Sequence, residues 1–111
     1  MSGLAMDKPW VALTAEHIGA VPAQLGVFEI ADADGVVLKI GFAGGREMFG
    51  LRSALDQALE EQVAPVQFRY ELTHGYLTRW EELLMVYKAQ EGRLPTGNAD
   101  HPHKIGHLTI T

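Results

Sequence analysis

The chain has 111 residues, 47% of them hydrophobic and 21% charged, enough for one domain with a sizeable core and too few for two. It holds no cysteine, which excludes disulfide scaffolds, thiolate zinc sites and thiol nucleophiles. Nine Lys and Arg against fourteen Asp and Glu leave a net charge of -5, which excludes a surface uniformly attractive to nucleic acid but allows a small basic cleft.

Met1 to Lys8 lacks the cationic segment and apolar stretch of a secretory leader. No apolar run approaches the roughly 20 residues of a membrane helix. The expectation is a cytoplasmic protein that makes no use of a membrane. Without repeats or a dividing linker, the chain reads as one domain over 1–111. It has an N-terminal arm at 1–21, a core at about 22–98 and a histidine-containing tail at 99–111.

Residues 9–24 mix apolar groups with Pro9, Gly19 and Pro22, and read as an irregular arm. Trp10, Val11, Leu13 and Ile18 are expected to pack on the core, and Thr14 to cap one short helical turn. Leu25 to Ala31 is rich in strand formers. Ala33-Asp34-Gly35 supplies turn chemistry, and Val36 to Phe42 forms a second strand, together a hairpin. Asp32 and Asp34 are turn residues on this reading rather than metal ligands.

The loop Ala43-Gly44-Gly45 reads as a flexible connection. Its alternative is a phosphate cradle, although Arg46-Glu47 follows where a P-loop requires Lys-Ser/Thr. From Gly50 to Gln62, Leu51, Ala54, Leu55, Ala58 and Leu59 recur at helical spacing, with Arg52 about 100° from Leu51 at the stripe's edge. Val66 to Leu72 alternates as a half-buried third strand, with Val66, Phe68, Tyr70 and Leu72 inward.

A second long helix spans about Tyr76 to Glu91. Tyr76, Leu77, Trp80, Leu83, Leu84 and Tyr87 form its buried stripe, and Gly92 stops it. Glu81 lies about 100° from Trp80, on the margin of that stripe, and Glu82 about 200° away, in solvent. The order strand, strand, helix, strand, helix predicts an α+β domain: a three-stranded antiparallel or mixed sheet flanked by helices.

Arg52 and Glu81, both at stripe edges, either face one cleft or pair with each other. Thr78-Arg79-Trp80-Glu81 also fits a capping box if the helix starts late. Asn98, in Leu94-Pro95-Thr96-Gly97-Asn98, has the sequence context of a turn, and Lys39 that of an outward-facing strand charge. His101, His103 and His107 read as a solvated tail rather than a metal site.

The order and its residues resemble the GIY-YIG endonuclease domain, over roughly residues 22–98. Gly26-Val27-Phe28 and Lys39-Ile40-Gly41, with ten residues between them, stand where that family carries Gly-Ile-Tyr and Tyr-Ile-Gly. Arg52 resembles the arginine of its first helix, Glu81 its metal-binding glutamate and Asn98 the asparagine after that helix. The resemblance implies phosphodiester hydrolysis with one Mg2+ or Mn2+, held by the glutamate, polarising the phosphate. The arginine would steady the charge that develops there.

Both motif tyrosines are replaced. Phe28 can neither donate nor accept a proton, and Lys39 acts as a base only if its pKa falls by about three units. The resemblance therefore implies an impaired enzyme acting as a binding module for nucleic acid, a phosphate-bearing ligand or a protein. The alternatives are a metal-dependent DNA or RNA endonuclease, and a structural or protein-interaction module. Lys39, Arg46 and Arg52 form a local basic cluster, which Arg69, Arg79 and Lys88 extend if they share its face.

Overall fold

The structure, a computed structural model, describes residues 5–62 and 64–98. The hairpin forms where β-branched and aromatic residues dominate. Gly26–Ala31 and Val37–Ala43 are its strands, β2 and β3, preceded by a short strand β1 (Val11–Ala12) and helix α1 (Ala15–Gly19). At the hairpin turn Asp32 Oδ1 accepts the amide hydrogens of Asp34 (2.9 Å) and Val36 (3.0 Å), and Gly35 takes a φ of 86°. Asp32 thus does the work of an Asx turn, as its sequence context predicts.

Helix α2 (Leu51–Glu61), strand β4 (Gln67–Leu72) and helix α3 (Tyr76–Glu91) follow, and a single 3-10 turn ends the described chain at Thr96–Asn98. The predicted elements match these in kind and nearly in extent. The Gly92 backbone, at a φ of 78°, stops α3 by donating to the Lys88 carbonyl. The architecture is α+β, and every strand pairing is antiparallel.

The sheet has four strands in the order β1-β4-β2-β3, one more than the sequence pattern predicts. Part of the expected irregular arm is β1, in which Val11 and Ala12 pair with Phe68 and Gln67 and cover the outer edge of β4. A two-residue strand is too short to leave a periodic signature, so only its pairing partner defines it. Thr14 does cap α1, its hydroxyl accepting the His17 amide at 3.2 Å. Leu13 and Ile18 are buried.

Helices cover both faces of the sheet. Phe28 and Ile30 of β2, with Phe68 of β4, pack with Ile18, Leu51, Leu55 and Ala58. Val27 and Ile40, on the opposite face, pack with Met6, Leu83 and Leu84. Strand β2 lies at the centre and is buried along its whole length.

Three expectations about exposure fail, the first at Leu77, expected in the buried stripe of α3 but 48% exposed near the start of that helix. Leu72, expected inward, is 42% exposed at the end of β4. Glu82, expected in solvent, is half-buried and pairs with Arg79. The α3 side of β4 carries Arg69 and Glu71, so α3 packs over charged groups there, and its own charges turn partly inward to meet them.

Candidate functional site

The motif residues come together where the hairpin meets its flanking helices. Phe28 and Gly41 are opposite one another in the β2–β3 ladder. The Phe28 ring lies over Gly41 so closely that a Cβ there would run into it. Glycine at 41 is therefore a packing requirement created by the aromatic at 28. Val27, also buried, points to the other face, and Gly26 begins the strand against the β4 backbone at Glu71.

Strand β3 is an edge of the sheet, and its outer side forms the floor of a cleft of about 200 Å³. Lys39, Ile40, Gly41 and Phe42 line it continuously. Ala54, Gln57 and Ala58 of α2 form one wall. Trp80, Asn98 and Glu47 contribute from α3, the 3-10 turn and the β3–α2 loop.

Asn98 is the polar centre of this cleft and is only 5% exposed. Its Oδ1 accepts the Ile40 amide at 2.8 Å, and its Nδ2 donates to the Ile40 carbonyl at 2.9 Å. The same carbonyl accepts the Trp80 indole N–H at 2.8 Å. The side chain therefore pairs with the sheet edge as a neighbouring strand would, satisfying groups that an edge strand leaves open. Its turn context is real, since it sits in the 3-10 turn, but its amide serves β3. Gly97 permits the approach: a Cβ there would lie 2.7 Å from the Leu38 carbonyl oxygen.

Lys39 lies on the cleft floor, its side chain 34% exposed and its ammonium 3.9 Å from the Glu61 carboxylate. Pairs this long and open contribute little. The Gly44 amide donates to Glu47 Oε1 at 2.7 Å, so a carboxylate of the same loop already occupies the first amide that a phosphate cradle would offer.

The remaining site residues lie elsewhere. Arg52 is exposed on α2, its Nε donating to the Val21 carbonyl at 2.6 Å, and it does not line the cleft. Glu81 is half-buried on α3 and also stands apart from the cleft lining. Among the described residues no ion pair joins Arg52 to Glu81. Nor is Glu81 a reciprocal cap, because α3 begins two residues before Thr78, after Gly75. No set of three His, Asp or Glu side chains among the described residues is placed to hold a metal ion. The histidines at 101, 103 and 107 lie outside the described residues.

Sequence reading overlooked the charged groups beneath α3. Glu29, buried at the sheet centre, accepts the Arg69 Nε at 2.7 Å, the two residues being direct cross-strand partners. Burial raises the Glu29 pKa above its ordinary value, and the Arg69 hydrogen bond and charge oppose that rise. Arg69 also donates to the Lys8 carbonyl and lies 4.1 Å over the Trp10 ring, fastening the N-terminal segment to the sheet. Arg79 bonds both Glu71 oxygens, at 2.8 and 3.1 Å, and pairs with Glu82. Arg69 and Arg79 are thus committed to internal carboxylates, and the basic cluster gains nothing from them. The alternation of acid and base at 69, 71, 79 and 82 was visible. Which strand faced Glu29 was not.

No helix among the described residues is long and apolar enough to cross a membrane. No curated protein and no solved structure matches the chain. The profile of one family matches residues 4–90, spanning all four strands and nearly all of α3. The chain belongs to that family, described as a domain of unknown function (DUF7508).

Proposed function

We propose that the chain is a GIY-YIG-like module that binds a phosphate-bearing ligand without hydrolysing it. The chemistry of the cleft wall at the two motif strands supports this reading. A phenyl ring and an ammonium stand where the family's tyrosines would be, and neither Arg52 nor Glu81 lines the cleft. The Asn98 amide is held against the strand edge by Ile40, which it meets through both its oxygen and its nitrogen. What the cleft offers is a surface of mixed polarity in which Lys39 is the cation and Glu47, whose carboxylate accepts the Gly44 amide, is the acid.

The test is a supercoiled-plasmid nicking assay with Mg2+ or Mn2+, run beside Glu81→Ala and Arg52→Ala. Wild type is expected to leave the plasmid intact. Nicking by wild type that both variants lose would overturn the proposal. Equal nicking by all three would mark a contaminating nuclease. Binding of short DNA is expected to be weak and to vanish with added salt, since few cations remain outside internal pairs.

One observation favours the endonuclease reading instead. Glu81 takes no ion pair among the described residues, whereas Glu29, Glu71 and Glu82 are all engaged. On that reading Glu81 supplies a single ligand to Mg2+ or Mn2+, the rest coming from water and substrate phosphate. The described donor set alone does not make a resident metal site.

A further inference from the structure

Strand β3 presents its backbone to the cleft in a regular pattern. In an antiparallel ladder, residues alternate between turning both backbone polar groups toward the partner strand and turning both away. Ile40 turns its N–H and C=O outward, where Asn98 meets them. The unbroken register from Gly26↔Ala43 to Ile30↔Lys39 gives Phe42 the same outward orientation, while Leu38 lies just past it, at the register shift between Ile30 and Ala31.

These three positions have different fates. Ile40 is occupied by a planar amide. The Leu38 carbonyl is closely approached by Gly97. Phe42 lines the cleft, and among the described residues no hydrogen bond from a side chain or a loop reaches its backbone. It offers an adjacent donor and acceptor, the same pair that Asn98 recognises two residues earlier.

The surroundings of Phe42 suit a flat ligand. Its ring and Trp80 form an aromatic corner, with centroids 5.0 Å apart. Across the cleft, Ala54 and Ala58 lie one helical turn apart and leave room that larger residues would fill. Lys39 is the cation on the same floor.

We propose that this cleft binds a planar ring carrying an N–H beside a C=O, as in a pyrimidine base or a lactam. The ring docks on the Phe42 backbone as the Asn98 amide docks on Ile40, and Lys39 receives a phosphate attached to it. The inference rests on the reading of the cleft as a binding site and names its ligand class. Such a base comes either from a free nucleotide or from a single strand, and its hydrogen-bonding edge is the same in both.

The full chain, labelled with 15N, is titrated with uracil, N,N′-dimethyluracil, uridine monophosphate and a short oligouridylate. Uracil is expected to shift the Phe42 amide resonance and slow its hydrogen exchange. The dimethyl compound, which keeps the ring but lacks the donor, is expected to bind about tenfold more weakly. Uridine monophosphate should bind more tightly than uracil, and Lys39→Met should reduce that advantage.

A tighter oligouridylate names a single strand as the source and a weaker one names the free nucleotide, and either ranking supports the site. An unmoved Phe42 amide, or equal affinity for the two uracils, overturns the inference. Metal-dependent nicking by the same preparation would instead refute the non-hydrolytic reading, leaving this comparison intact.

Discussion

Replacing Asn98 with alanine tests whether the cleft is built by this residue or merely passes near it. The substitution removes two hydrogen bonds, of 2.8 and 2.9 Å, from a side chain that is only 5% exposed. The consequences for the two Ile40 groups differ. The carbonyl keeps the Trp80 indole as a partner, so its loss is that of one ordinary bond, about 1 kcal/mol. The amide loses the one partner it has among the described residues, which costs about 1–3 kcal/mol in a buried setting.

The expected total is therefore about 2–4 kcal/mol, a large share of the roughly 5–15 kcal/mol that stabilises a typical domain. Urea unfolding, followed by tryptophan fluorescence, measures it directly as a lower midpoint at unchanged slope. A cycle with Trp80→Phe sharpens the test. Once Asn98 is gone, Trp80 is the last partner of the carbonyl, so the double variant should lose more than the sum of the singles. A loss below about 0.5 kcal/mol for Asn98→Ala would refute the reasoning and leave Asn98 an ordinary turn residue.

Other perturbations probe the packing around the site. Gly41→Ala is expected to cost about 1–3 kcal/mol because its methyl meets the Phe28 ring, and trimming that ring with Phe28→Leu should recover part of the loss in the double variant. Arg69→Ala leaves Glu29 buried without its partner and should destabilise by about 3–5 kcal/mol, read in the same urea assay. Glu29 has a folded-state pKa raised above its ordinary value of 4.5, so the folded state binds its proton more tightly than the unfolded state. Its contribution to stability is fullest below that ordinary value and declines as pH rises through the raised one. The stability of wild type relative to Glu29→Gln should therefore fall across that window. A difference independent of pH would remove Glu29 as a titrating group.

The sequence carried the local elements well because their signals are local. The strand, turn and helix signatures of the hairpin, α2 and α3 lie within each segment. Leu51, Leu55 and Ala58 form a buried stripe whatever they pack against. Asp32 closes its turn with its own neighbours. Residues whose meaning depends on distant chain were legible only as types. Asn98 reads as a turn residue until Ile40, fifty-eight positions away, is placed beside it.

Arg52 and Glu81 illustrate the converse. Helical geometry puts both at the edges of apolar stripes, a statement about each helix alone. Whether two such edges meet depends on how the helices cross the sheet. The structure seats α2 and α3 on opposite faces, with Arg52 reaching toward Val21.

By itself, the sequence determined the α+β class, the hairpin and its turn, the extents of the two long helices and the exclusion of thiol chemistry. Periodicity, turn residues and composition act over a few positions and need no partner. The tertiary structure alone decided that a fourth strand closes the sheet, that charges lie paired beneath α3 and that Asn98 holds the edge of β3. It also left the outward backbone of Phe42 without a hydrogen-bond partner among the described residues. Each of these depends on which strands are neighbours, and strand pairing joins residues that no local pattern connects.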